Sequence, residues 1–135
     1  MKKLIIFSDG GARGNPGPAA IGVVIKDENG NTVSSYGDYL GEQTNNFAEY
    51  SAIISGLERA KDMEAEEVEC FVDSKLVCEQ LNGNWKVKEA TLQKLFVKAW
   101  NLMQGFKKIS IKHTYREGNK EADAEVNKIL DKQAL

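Results

Sequence analysis

Sulfur and nitrogen ligands are scarce in this sequence, and so is any long apolar run. There are two cysteines, Cys70 and Cys78, and one histidine in 135 residues. Seven residues separate the cysteines and no Cys-x-x-Cys occurs, so neither a disulfide framework nor a zinc centre has the ligands it requires. Both cysteines stand in apolar segments, where buried reduced thiols are the ordinary reading. No apolar stretch approaches the roughly 20 residues of a membrane helix. The opening Met-Lys-Lys-Leu-Ile-Ile-Phe is too short in its apolar part for a signal peptide. A cytoplasmic protein without membrane association is expected. With two prolines, no internal repeat and no linker-like stretch, residues 1–135 are read as one domain. Neither charge sign dominates: 18 Lys and Arg face 20 Asp and Glu, a net charge of -2. Taken as a whole, that balance argues against a nucleic-acid partner.

What is present is a regular alternation of apolar patterns. Lys3–Ser8 is a short apolar run suited to a strand buried on both faces. A Gly- and Pro-rich loop from Asp9 to Pro18 is predicted next. Ala20–Lys26 and Thr32–Leu40 read as strands of a hairpin, with Asn29-Gly30 between them. A helix follows from about Asn46 to Met63, with Phe47, Tyr50, Ile54 and Leu57 on one face. Glu67–Val72 reads as a strand and the residues to Asn82 as a short helix. Glu89–Gln104 is an amphipathic helix whose stripe contains Leu92, Leu95, Phe96, Ala99, Trp100 and Met103. Lys107–Tyr115 alternates as an edge strand does, and a last helix begins near Asn119 with Ala122, Val126 and Ile129 inward. The order β-β-β-α-β-α-α-β-α predicts an α/β protein: an antiparallel meander, then α/β units, giving a mixed sheet flanked by helices.

Four carboxylates stand apart by position. Asp9 and Asp73 each follow an apolar strand, and ligands in α/β sheets bind at the carboxyl ends of strands. Two bland roles compete with this: a turn residue for Asp9, which precedes Gly10-Gly11, and a helix cap for Asp73. Glu49 and Asp123 lie near the starts of their helices, where the macrodipole alone favours acidic residues. Each is explained singly in this way, but convergence of all four on one end of a sheet is not. Four carboxylates without His or Cys ligands suit hard divalent cations such as Mg²⁺ or Mn²⁺. A pair of such ions about 3.5–4 Å apart supports in-line phosphodiester hydrolysis.

Four segments together resemble the ribonuclease HI family, in its handle-less archaeal-like branch. They are Ser8-Asp9-Gly10-Gly11 with Gly14-Asn15-Pro16-Gly17-Pro18, Thr44-Asn45-Asn46-Phe47-Ala48-Glu49, Phe71-Val72-Asp73-Ser74, and Arg116-Glu117-Gly118-Asn119-Lys120-Glu121-Ala122-Asp123. The resemblance spans nearly the whole chain and implies an RNase H-like five-stranded mixed sheet, in which the fourth and fifth strands run parallel to the first. It implies endonucleolytic cleavage of the RNA strand of an RNA/DNA hybrid, leaving 5′-phosphate and 3′-hydroxyl ends, with two Mg²⁺ ions for which Mn²⁺ can substitute. On this reading Asp9, Glu49, Asp73 and Asp123 are both catalytic and metal-binding. Asp9 is shared by the two ions, Glu49 and Asp73 hold the first, and Asp123 holds the second. Glu49 also matches a contact to a ribose 2′-hydroxyl, the group that distinguishes RNA from DNA.

Further positions carry weaker implications. Gly10, Gly11, Asn15, Asn45 and Asn46 match substrate-binding positions, the three asparagines at the minor groove, and Thr44 matches a DNA-phosphate contact. Turn formation by Asn15 and Asn45 and helix capping by Thr44 are the competing readings. His113 precedes Asp123 by ten residues, the spacing of a family histidine associated with product release, yet it is in phase with Ile109 and Ile111 and equally suits a core or strand end. Arg116 matches an arginine near the active-site phosphate, with a surface ion pair as the alternative. Asn119 reads as a helix N-cap, although its family counterpart borders the second metal. Trp85 suits either contact with the DNA strand or burial at a helix junction.

Many bacterial members insert a basic handle after the Trp-containing segment, and here residues 82–88 lead almost directly into the next helix. The expected partner is the hybrid duplex alone, bound by a monomer. Charge is not evenly spread: residues 86–120 hold nine Lys or Arg against two Glu. Phosphate binding follows local charge rather than the total, so the net acidity does not exclude a nucleic-acid partner. Two rival readings remain. A phosphatase using an Asp nucleophile usually has a second Asp two residues on, whereas position 11 is glycine. A silent hybrid-binding module is disfavoured because all four carboxylates are present.

Overall fold

The computed structural model describes residues 2–114 and 119–135. Nine elements follow in chain order: β1 (Lys3–Ala12), β2 (Gly17–Asp27), β3 (Thr32–Gln43), α1 (Asn45–Asp62), β4 (Glu67–Val72), α2 (Lys75–Leu81), α3 (Ala90–Met103), β5 (Lys108–His113) and α4 (Lys120–Gln133). The strands form one five-stranded sheet in the order β3-β2-β1-β4-β5. β1 pairs antiparallel with β2 and parallel with β4, and β4 pairs parallel with β5. This is the mixed sheet the pattern predicts, with β5 at one edge and β3 at the other.

Alternation assigns the two faces. Leu4 and Ile6 of β1, Val23 and Ile25 of β2, and Val68 and Cys70 of β4 are fully or almost fully buried, and they pack with Tyr50, Ile53 and Leu57 of α1 in the main core. α1 lies between the sheet and α3, so its buried surface is wider than one stripe and includes Ala48, Ala52 and Ala60. On the other face α4 covers β2 and β3 with Ala122, Val126 and Leu130. Both cysteines are free and buried.

Two expectations are corrected. The segment from Asp9 to Pro18 is mostly strand rather than loop, since β1 runs through Ala12 and its pairing with β2 continues from Asp9 opposite Gly22 to Ala12 opposite Ala19. Gly10-Gly11 looked like a turn signal, but a glycine inside a strand also marks close backbone approach. A Cβ at Gly10 would lie 2.2 Å from the Ala48 carbonyl of α1. Trp100 is 46% exposed rather than part of the core stripe. α3 buries Leu92, Ala99 and Met103, and at 3.6 residues per turn position 100 falls about 80° from the centre of that row.

Candidate active site

The last parallel rung between β1 and β4 joins Ser8 to Val72. Beyond it the neighbouring strands part: β1 continues alongside β2, while β4 ends and the chain turns into α2. Asp9 and Asp73 are the next residues on either side of that opening. The cap of α2 is Ser74, whose hydroxyl accepts a hydrogen bond from the Val77 N–H at 3.2 Å. Asp73 is therefore not spent on capping, and Asp9 is not in a turn.

Glycines bring the two helices in. Gly22, the cross-strand partner of Asp9, has the Ala122 carbonyl oxygen 2.0 Å from where a Cβ would stand. The first turn of α4 therefore rests directly on the sheet and places Asp123 beside Asp9. On the opposite face Gly10 admits α1, and the Gly10 N–H donates to the Glu49 carboxylate. Asp9 shares hydrogen bonds with the carboxyl groups of Asp123 and Glu49, and Asp73 faces it through space. Asp9, Asp73 and Asp123 line one open cavity of about 260 Å³.

Crowding acids in this way perturbs them. Asp9 is 7% exposed, and its carboxyl is pushed up to about 7, first by burial and then by its hydrogen bond to Asp123 and the charges of Asp73 and Asp123. Glu49 is also held well above the usual carboxylate range, by burial and by the charge of Asp9. Bringing a cation among these groups would relieve that repulsion and restore the charged forms. The donors are all carboxylate oxygens, which fits a hard divalent ion. Among the described residues no three His, Cys, Asp or Glu side chains are already gathered at metal-ligand spacing.

A family model described as reverse transcriptase-like matches residues 7–129. Ribonuclease H of Ruthia magnifica is 34% identical over 153 residues, with 98% of each chain covered. The chain belongs to the ribonuclease H family. Ribonuclease HI of Halobacterium salinarum is 44% identical over 125 residues, covering 93% of this chain and 63% of that protein. The bifunctional protein Rv2228c of Mycobacterium tuberculosis is 42% identical, and this chain spans 36% of its length. Crystal structures agree with the sequence relation. RNase H1 from Halobacterium salinarum matches with a TM-score of 0.93 at 42% identity, over 96% of this chain and 98% of that one. LC11-RNase H1, solved in complex with an RNA/DNA hybrid, matches with a TM-score of 0.91 at 45% identity, over 98% and 99%.

The remaining candidates of this ribonuclease H chain fall in different places. Asn15 and Asn45 form a clamp: Asn15 Oδ1 accepts from the Asn45 N–H at 3.0 Å, and Asn45 Oδ1 accepts from the Ala12 N–H at 2.8 Å. With their oxygens committed to backbone, these exposed amides present N–H donors outward. Thr44 does cap α1, its hydroxyl accepting from the Phe47 N–H at 3.2 Å. Together with Asn15, Asn46 and Phe47 it also lines a second cavity, of about 410 Å³. Gly11 sits in the carboxylate cavity with Gly10.

His113 is exposed, not in the core, and its Nε2 lies 3.1 Å from the Asp73 carbonyl oxygen. Asn119 stands at the N-cap position of α4 but makes no side-chain cap bond. Instead it is 1% exposed and donates from Nδ2 to the Ser8 carbonyl at 2.7 Å, tying the start of α4 to the strand residue before Asp9. Trp85 is 44% exposed rather than buried at a junction, with the Lys75 ammonium 5.9 Å from its ring. Arg116 lies outside the described residues. Sequence reasoning missed Gly22, Arg13 and Asn127. Gly22 sits in the apolar run Ala-Ile-Gly-Val-Val, where a strand glycine was the available signal; the other two gave none without the fold.

Proposed function

We propose that this chain is an endoribonuclease that hydrolyses the RNA strand of RNA/DNA hybrids with two Mg²⁺ ions. The observation that carries the reading is the approach of Asp9 from β1, Glu49 from α1, Asp123 from α4 and Asp73 from the turn after β4 to the opening between β1 and β4. Family membership supports it, as does the neighbour solved with a hybrid. Asp9, Glu49 and Asp73 would hold one ion, and Asp9 with Asp123 the other; Mn²⁺ can take their place. When bound, the ions supply charge that activates water and stabilises the leaving oxygen. The reaction forms a P–O bond to the water oxygen and breaks the P–O3′ bond. The 3′ oxygen takes up a proton, leaving a 3′-hydroxyl and a 5′-phosphate.

The chain's own residues do the positioning. Glu49, anchored by the Gly10 N–H, contacts the ribose 2′-hydroxyl of the RNA strand as well as an ion. Asn15, Asn45 and Asn46 present amides to the minor groove, whose acceptors are degenerate between bases, so cleavage is not strongly sequence-specific. Gly10 and Gly11 line the carboxylate cavity that receives the substrate, Thr44 contacts a DNA phosphate, and Trp85 and Arg116 add to the substrate surface. Residues 1–135 act as one catalytic domain, a monomer in the cytoplasm. Among the described residues no helix is long and apolar enough to cross a membrane.

The test is a labelled RNA/DNA hybrid incubated with Mg²⁺, Mn²⁺ or EDTA, beside duplex RNA, duplex DNA and a phosphomonoester. Cleavage of the hybrid that vanishes in EDTA and in Asp9→Asn is expected. Phosphomonoester turnover with an untouched hybrid would overturn the reading.

A further inference from the structure

Arg13 is the only basic side chain among the described residues lining the carboxylate cavity. Its backbone is held firmly. The Arg13 N–H donates to the Pro18 carbonyl at 2.9 Å, and the Arg13 carbonyl oxygen lies 2.2 Å from where a Cβ of Gly17 would stand. Arg13 and Asn15 leave this short loop on opposite sides: Asn15 clamps α1, and Arg13 reaches α4. There Nη2 meets Asp131 Oδ1 at 2.5 Å and Asn127 Oδ1 at 3.5 Å. Asn127 in turn donates from Nδ2 to Asp123 Oδ2 at 3.3 Å. Residues 123, 127 and 131 form one row along α4, four apart, so the guanidinium stands two helical turns from a proposed metal ligand.

We propose that Arg13 binds a backbone phosphate of the strand lying over the carboxylates, and that Asp131 holds its guanidinium ready until that phosphate arrives. The proposal rests on the hybrid-cleavage reading above. Asp131 is an exchangeable partner, because its side chain is 70% exposed and such surface ion pairs contribute little net energy. A phosphate offers two oxygens to the planar guanidinium fork and a stronger charge-assisted pair. Among the described residues lining the cavity that must receive a polyanion, the other charged side chains are all acidic, Asp9, Asp73 and Asp123, so a basic group at its edge favours the approach of a phosphate beyond the reach of the metal-bound centre. Asn127 is suited to its place between the two. A neutral amide can orient Asp123 without competing with a cation for the carboxylate, as a lysine or arginine would.

The experiment measures binding of a labelled hybrid by fluorescence anisotropy in EDTA across a KCl series, with steady-state cleavage in Mg²⁺ alongside. For Arg13→Ala the slope of log Kd against log salt falls by about 0.7–0.9, the signature of one lost phosphate contact. Its KM rises while kcat stays within about twofold. Arg13→Lys keeps the wild-type slope. Asp131→Asn binds the hybrid as tightly as the wild type or more tightly, because the competing carboxylate is gone. A merely structural ion pair makes Asp131→Asn lose as much as Arg13→Ala, and that result overturns the proposal. So does an unchanged salt slope in Arg13→Ala. Failure of the folded wild-type chain to bind or cleave the hybrid would instead sink the proposed function.

Discussion

Replacing Asp9 by Asn should abolish cleavage while making the metal-free protein more stable at neutral and alkaline pH. In the folded chain the Asp9 carboxyl is pushed from 3.8 up to about 7 by burial and by its acidic neighbours. Between those values the folded state holds a proton that the unfolded state has lost. The favourable contribution is complete below about pH 4 and disappears as pH rises through 7. Above that the wild type carries the whole penalty of an ionised buried carboxylate. A shift of about three units at 1.36 kcal/mol each sets a ceiling near 4 kcal/mol. Asp9 and Glu49 share this repulsion, and water reaches the open cavity, so about 2–4 kcal/mol is the range expected for Asp9→Asn at pH 8. With a urea m value of roughly 2 kcal/mol/M, the midpoint moves up by about 1–2 M. Urea titrations in EDTA from pH 4.5 to 9 should show the two proteins converging at the acid end and separating above it. Added Mg²⁺ should stabilise the wild type at pH 8 and not the variant. An Asp9→Asn protein that is equally or less stable at pH 8, or a gap that does not change with pH, would refute the electrostatic account.

Other substitutions test other parts of the construction. Gly22→Ala puts a Cβ 2.0 Å from the Ala122 carbonyl oxygen and should cost about 1–3 kcal/mol in urea, with hybrid cleavage reduced at least tenfold in the folded fraction as α4 moves Asp123 away. Tyr50→Phe removes a buried hydroxyl that donates to Gln80 Oε1 at 2.6 Å and should cost about 1–3 kcal/mol, measured by thermal or urea unfolding, with kcat little changed. His113→Ala should lose less than about tenfold in kcat, because the Nε2 contact is to the Asp73 backbone carbonyl; a loss of 10²–10⁴-fold would assign it general acid–base duty.

Much of this was readable one residue at a time. The apolar periods marked all nine elements, because each strand and helix buries one face and its spacing reveals which, but β1, β2 and β3 extend beyond the expected Lys3–Ser8, Ala20–Lys26 and Thr32–Leu40 to Lys3–Ala12, Gly17–Asp27 and Thr32–Gln43. The four carboxylates stood out because they follow strands or open helices rather than sitting on solvated faces. Where reading by residue failed, the cause was a contact from elsewhere in the chain. Gly10-Gly11 resembles a turn until α1 is laid against it, and Trp100 resembles core until α3 is seen to bury a single row against α1. Asn119 has the composition of a cap, but its amide goes to Ser8, 111 residues earlier.

By itself, then, the sequence determined the order of elements, their buried faces and the four acids that chemistry would single out, since these depend on local spacing and side-chain type. Tertiary structure alone decided that Ser74 rather than Asp73 caps α2, that Gly22 admits α4 to Asp9, and that Arg13 is drawn to Asp131 beside the carboxylates. The physical reason is that hydrogen bonds, close backbone approach and charge pairing act through space over a few ångströms, between residues whose distance along the chain says nothing about their meeting.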